Sequence, residues 1–202
     1  MSERSIEERT RDALDRQDIR DVLVRWNRAL DRGDVSMMAS TYCADAYDDH
    51  GKQQYRSADE AAADYITRHV SLARRTMHTT VQEYIELDAD VALCESYAIT
   101  YLVTDRVPSL EAPTRLAEGI DELLVTVGIR YIDQFKRVEG NWKIARRKMI
   151  LEWRTFGDSV PLGFDVSDQK IGFSRQLAYH GSRSPADPSY AMADNLGRLH
   201  ER

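Results

Sequence analysis

Cysteine is nearly absent from this chain: Cys43 and Cys94 are the two among 202 residues. They form no CxxC and no Cys/His ligand spacing, which excludes a disulfide scaffold and a thiolate metal site, and both read as small buried hydrophobes. Long apolar runs are missing as well. The longest, such as Leu123 to Val127, fall far short of the roughly 20 residues that a membrane helix requires, and the opening MSERSIEERTR has no signal-peptide apolar segment. A cytoplasmic protein without a membrane partner is the expectation. Positive charge is in deficit, with 28 Lys and Arg against 34 Asp and Glu. The short basic stretches at 68–75, 137–148 and the Arg198 end are broken by acidic or apolar residues, so none is large enough to release many phosphate counterions, and nucleic acid is excluded as a partner. Nor is there a G-x-G-x-x-G, a Walker sequence, a G-x-S-x-G elbow, an internal repeat or a low-complexity tract.

What is present suits one domain, since 42% hydrophobic content is enough for a core at this length. From Ser5 to about Arg32, Ile19, Val22, Leu23, Trp26, Ala29 and Leu30 repeat on one helical stripe, and Gly33 follows as a C-cap. Asp34 can N-cap a second short helix carrying Met37, Met38 and Tyr42. The DAYDDHG segment then reads as a brief strand closed by Gly51. Ser57 and Glu60 have capping-box spacing at the head of a third helix. The period then changes to that of strands, at Met77 to Leu87, Val91 to Val103, Leu123 to Val138 and Trp142 to Trp153. Hairpin-length turns at 88–90 and 139–141 predict antiparallel neighbours. Residues 105–119, with Pro108 and Pro113, read as a long loop. Helices first and a meander second is the pattern of an α+β domain, here spanning 1–153. Beyond it, 154–202 reads as an extension that wraps over a surface, because regular periodicity stops while prolines, glycines and scattered aromatics continue. Trp26, Trp142 and Trp153 fall at expected core positions.

Two residues stand out chemically. Asp31 places a carboxylate in the last turn of the first helix, against the negative end of the helix dipole, on the flank of the apolar stripe. It either points inward or is a surface carboxylate neutralised by Arg28 or Arg32. His78 lies early in the first long strand, in alternation with Thr80, Gln82 and Tyr84 and opposite Met77, Val81, Ile85 and Leu87. That row either lines a wet pocket or faces solvent. Asp48, Asp49 and His50 do not make a metal site, because adjacent strand residues point to opposite faces and no further ligands complete the set. No metal is therefore expected.

Three segments carry a resemblance: RQDIRDVLVRWNRALDRGDVSMMASTYCADAYDDHG, then MHTTVQEYIELDADVALCESYAITYLV, then GIRYIDQFKRVEGNWKIARRKMILEW. Together they resemble the SnoaL-like branch of the nuclear transport factor 2 (NTF2) superfamily over residues from about 15 to 153. The resemblance implies a cone made of a bent, mostly antiparallel sheet closed by three helices, with a pocket at its mouth. It also implies that Asp31 and His78 are the Asp/His dyad of scytalone dehydratase, hexachlorocyclohexane dehydrochlorinase and bile-acid dehydratase relatives, with His78 as general base and Asp31 orienting it.

Such chemistry needs no cofactor. A neutral imidazole accepts a proton near pH 7 while a carboxylate fixes its tautomer. Tyr47 and His50 on the short strand, Tyr101 on the second long strand, and Arg130 or Tyr131 on the third are the candidate substrate-binding donors. His50 and Tyr101 stand about where scytalone dehydratase has a pocket tyrosine and a second histidine, so scytalone is not expected as substrate. Tyr101 shares its parity with Tyr97 and Ile99, and core aromatic or substrate contact both remain open. The implied function is a cofactor-independent lyase acting on a bulky hydroxylated aromatic or polycyclic molecule. Its sharpest form is release of formaldehyde from a lignin-derived diarylpropane diol to leave a stilbene, with steroid or polyketide dehydration or isomerisation as rivals. A non-catalytic ligand-binding or assembly module is the competing class. A homo-oligomer, trimer before dimer, follows from the same resemblance.

Overall fold

The computed structural model describes residues 4–104 and 123–158. The expected loop at 105–119, and the extension from 159 on with its expected place over a surface, whether the pocket or a neighbouring subunit, lie outside the described residues. Helix α1 (Ile6–Arg32) starts at a full capping box: Ser5 Oγ accepts the Glu8 N–H at 3.2 Å and Glu8 Oε2 accepts the Ser5 N–H at 2.8 Å. It ends at Gly33, whose φ of 70° is the left-handed conformation that a residue without Cβ adopts at low cost. Asp34 then caps α2 (Val35–Ser40) by accepting the Met37 N–H at 2.9 Å. A hairpin of β1 (Tyr42–His50) and β2 (Gln53–Tyr55) follows, and then α3 (Ala58–Leu72). The expected box at α3 closes on one side only. Ser57 caps Glu60, but the Glu60 carboxylate accepts from the N–H of Arg56, one residue earlier than the box requires.

Four long strands complete the fold: β3 (Arg75–Asp88), β4 (Val91–Thr104), β5 (Leu123–Val138) and β6 (Asn141–Asp158). Their two-residue turns are tight. Glu139 and Gly140, with φ of 51° and 82°, give the positive angles that match the twist of an antiparallel pair. Strand β6 runs five residues past the expected stop at Trp153, because Arg154 to Asp158 still pair with Val127 to Leu123. The sheet order is β2-β1-β6-β5-β4-β3, antiparallel throughout except for the parallel pair β1 and β6. The sheet is curved and unclosed, and register shifts in the β1–β6, β3–β4 and β5–β6 pairs bend it.

The concave face buries the stripe of α1 together with Ala61, Ala62 and Ile66 of α3, over Phe135 and Ile144 of the sheet. Each large side chain so buried contributes about 1.5–3 kcal/mol. Trp26 and Trp142 are core residues, 1% and 2% exposed, as their positions predict. Trp153 is not: it is 49% exposed on the outer face, with its ring laid over Gly128 where a Cβ would sit. The parity of β3 also departs from strict alternation. A bulge between Thr80 and Gln82 switches its phase, so Thr76, His78 and Thr80 face inward with Ile85 and Leu87, while Met77 and Val81 are more than half exposed.

Candidate active site

The last two turns of α1 lean on the first half of β3. Asn27 Nδ2 donates to Thr80 Oγ1 at 3.0 Å, and one helical turn later Asp31 meets the same strand. Its carboxylate accepts three hydrogen bonds: Thr76 Oγ1 to Oδ1 at 2.9 Å, the His78 backbone N–H to Oδ2 at 3.0 Å, and His78 Nδ1 to Oδ1 at 2.6 Å. These donors offset the unfavourable end of the helix dipole. Burial pushes the Asp31 carboxyl up, but the hydrogen bonds and charge of His78, with Thr76, outweigh it and hold the group below the ordinary carboxylate value. Asp31 is therefore ionised at neutral pH, and His78 must carry a proton on Nδ1 to bond it. In the neutral imidazole this tautomer puts the lone pair on Nε2. The imidazole is 3% exposed and stands edge-on to Trp26 at 6.4 Å, which fixes its plane.

His78 lines a cavity of about 270 Å³, open on one side, between α3 and strands β3 to β6. Val125, Val127, Ile129 and Met149 supply an apolar wall. The polar groups on the lining are Tyr65, His69, His78, Thr100, Thr104 and Tyr131, with Arg154 at the β6 side. The hydroxyls of Thr100 and Tyr131 are buried and have no hydrogen-bond partner among the described residues. Burial raises the Tyr131 phenol far above its usual range, with Asp48 and Asp133 adding to the effect and Arg147 opposing it, so it is a neutral donor at any working pH. A wider groove of about 880 Å³ runs past Arg16, Tyr84 and Lys136 and includes neither Asp31 nor His78. Among the described residues no three His, Cys, Asp or Glu side chains converge as metal ligands, and no helix is long and apolar enough to cross a membrane.

Of the five expected donors, the structure brings Tyr131 to the cavity and His50 close behind it. His50 is 7% exposed, with its ring 4.7 Å from Tyr65 and 6.1 Å from Tyr131, and its Nδ1 is 2.5 Å from Asp48 Oδ1. It belongs to a buried polar cluster in which Trp26 Nε1 donates to Tyr42 OH at 2.7 Å and Tyr42 donates to Asp48. Beside it Arg147 makes a two-pronged pair with Asp133 at 2.8 and 2.7 Å and packs between the Trp26 and Tyr131 rings. Burial pushes the Asp133 carboxyl up despite that partner, whereas His50, Arg147 and Tyr42 hold Asp48 down against burial.

Tyr47, Tyr101 and Arg130 are off the cavity, each for reasons of strand parity. Ala46, Asp48 and His50 take the inner face of β1, so Tyr47 stands on the other, under Arg56. On β4 the inner row is Ala98, Thr100 and Thr104, which puts Thr100 rather than Tyr101 at the cavity. Arg130 points outward to Glu152 and Glu95, at 2.7 and 3.2 Å, and packs on Tyr97. Sequence reasoning missed Thr76, Tyr65, His69 and Thr100. The signal for the α3 pair was available: Ala58, Ala61, Ala62, Tyr65, Ile66 and His69 form one stripe at helical spacing, and its last member is a histidine.

The family model of the SnoaL-like domain matches residues 11–148. No curated protein sequence matches the chain. Among solved structures it is similar to a hexachlorocyclohexane dehydrochlorinase, LinA type 2, at 17% identity and a TM-score of 0.62, over 75% of this chain and 97% of that one. The LinA type 3 enzyme from Novosphingobium barchaimii LL02 gives 16% identity and 0.60, over 74% and 94%. A protein provisionally assigned as a scytalone dehydratase, from Novosphingobium aromaticivorans DSM 12444, gives 16% identity and 0.59, over 73% and 89%. At these identities the structural likeness establishes the fold, an NTF2-like cone. With the family model spanning most of the described residues, the chain belongs to the SnoaL-like domain family.

Proposed function

We propose that the protein is a cofactor-independent lyase in which His78 Nε2 removes a proton from a small aromatic substrate and Asp31 holds the imidazole and stabilises the imidazolium. The observation that carries this reading is the 2.6 Å bond between Asp31 and His78 Nδ1 at the wall of a mostly apolar cavity. Proton transfer by a positioned base contributes about 10²- to 10⁴-fold in rate, and a dry cavity with preorganised donors supplies more. Tyr131 and Thr100, both buried with hydroxyls lacking partners among the described residues, are the donors for an oxygen that gains charge. The dehydratase and dehydrochlorinase names of the structural neighbours support elimination chemistry.

The substrate class is a hydroxylated aromatic or polycyclic molecule, since the cavity of about 270 Å³ is near the lower edge of small-molecule pockets, roughly 300 Å³, and its wall is mostly apolar. In its sharpest form the substrate is a diarylpropane diol. His78 takes the proton of the terminal hydroxyl, the adjacent carbon–carbon bond breaks to release formaldehyde, its electron pair forms the stilbene double bond, and the benzylic oxygen departs as water. Dehydration of a related alcohol uses the same groups. Val81, Tyr97, Ile99 and Trp153 border one shallow groove on the outer sheet face, and three of them are 37–52% exposed, which supports a homo-oligomer built on that face. The test is turnover of a panel of diarylpropane diols, hydroxylated aromatics and steroids by the protein and its His78→Ala variant. Loss of activity in the variant is expected. Activity that survives removes His78 as base, and ligand binding without turnover in the parent protein replaces the enzyme by a binding module.

A further inference from the structure

His69 occupies the last turn of α3, where its carbonyl accepts the Ala73 N–H at 3.2 Å, and its side chain enters the same cavity as His78. The two imidazole centroids are 5.0 Å apart. Tyr65, one turn earlier, stacks on the His69 ring at 5.5 Å with planes 19° apart, and itself rests on His50 at 4.7 Å. The second ring is thus held by a column of aromatic contacts rather than left to swing.

An elimination that expels an oxygen needs a proton donor as well as a base, because hydroxide leaves poorly. Among the described residues, the titratable and charged groups facing His69 around the cavity are Tyr65 on its own helix, His78 on β3, Tyr131 on β5 and Arg154 on β6. Tyr65 and Tyr131 are held neutral by burial far above their usual range, and a guanidinium does not release its proton, so these donate hydrogen bonds but not protons. Imidazole exchanges a proton near neutral pH. The end of a helix where His69 sits also favours the cationic form.

We propose that His69 is a second proton-transfer residue of this cavity, donating to the departing oxygen as His78 accepts the substrate's proton. This rests on the reading of Asp31 and His78 given above. In the balanced step the bond to the abstracted hydrogen breaks. In dehydration its pair forms the new double bond; in deformylation it forms the carbonyl of formaldehyde, and the pair of the broken carbon–carbon bond forms the alkene. The carbon–oxygen bond breaks, its pair stays on oxygen, and the His69 proton completes a water molecule. His78 ends with the substrate's proton and His69 one proton short, and transfer of a proton from His78 to His69, directly or through one water, restores the starting state.

The experiment uses the full chain, its His69→Gln and His78→Gln variants, and two probes: a β-hydroxy aryl ketone and the matching β-chloro ketone, whose chloride leaves without a proton. Loss of about 10²-fold or more with the hydroxy probe in His69→Gln, and near-parental rate with the chloro probe, is expected. The retained rate also shows that the variant is folded. Equal loss on both probes, or loss on neither, overturns the proposal. His78→Gln should lose both reactions, and survival there overturns the base assignment instead.

Discussion

Replacing Asp31 by Asn keeps the shape of the side chain and changes what it can accept. Oδ2 receives the His78 backbone N–H, a donor that cannot turn away, so the amide oxygen takes that place. The amide nitrogen then falls at the Oδ1 position, which in the parent protein accepts from both Thr76 Oγ1 and His78 Nδ1. The Thr76 hydroxyl can rotate to accept. His78 can accept only by moving its proton to Nε2, the nitrogen that the proposed chemistry needs unprotonated. A base in the wrong tautomer predicts a fall in kcat of about 10²- to 10⁴-fold with KM little changed. The stability effect is smaller. A hydrogen bond to a charged oxygen is worth about 1.5–3 kcal/mol against about 0.5–1.5 for a neutral one, and relief of carboxylate desolvation offsets part of the difference. A net loss of about 1–2 kcal/mol lowers Tm by about 2–8 °C. The parent carboxyl is held below its unfolded value. Its contribution is therefore complete above about pH 3.9 and is lost as pH falls from there through the folded value, a slope that Asp31→Asn should remove. Long-range ¹H–¹⁵N spectra of the neutral imidazole check the tautomer, and thermal melts between pH 3 and 7 check the linkage. An Nδ1-protonated His78 in the variant, together with an unchanged acid slope, would refute the reasoning.

Arg147→Met leaves the fully buried Asp133 without its partner and should cost about 3–5 kcal/mol in urea unfolding. Replacing Arg147 and Asp133 together by apolar residues of similar volume should recover most of that loss, and a double replacement as damaging as the single one contradicts the account. Tyr131→Phe removes a hydroxyl with no partner among the described residues, so stability should stay within about 1 kcal/mol while kcat falls at least tenfold on an oxygen-bearing substrate. Gly128→Ala puts a Cβ 2.2 Å from the Trp153 ring, which is half-exposed and can swing outward; iodide quenching of tryptophan fluorescence should increase with only a small change in Tm.

The sequence by itself determined the three helices, their N-caps and the four long strands, because periodicity and capping are local properties of the chain; it did not mark β2, and it put Tyr42 on α2 where the structure has it opening β1. It also singled out Asp31 and His78. An acid at the wrong end of a helix and a histidine in a polar strand row, which either lines a pocket or faces solvent, are visible without coordinates, and the family-like segments around them tied the two together. Tertiary structure decided the rest. The bulge after Thr80 reverses the parity of β3, and no propensity marks where an extra residue will be absorbed into a ladder. Strand parity on a curved sheet also removed Tyr47, Tyr101 and Arg130 from the cavity and put Thr100 there. His69 entered because α3 packs on the same concave face as α1, so side chains distant in sequence share one small cavity. That convergence depends on the sum of helix packing angles and sheet bending, which no single stretch of the chain encodes.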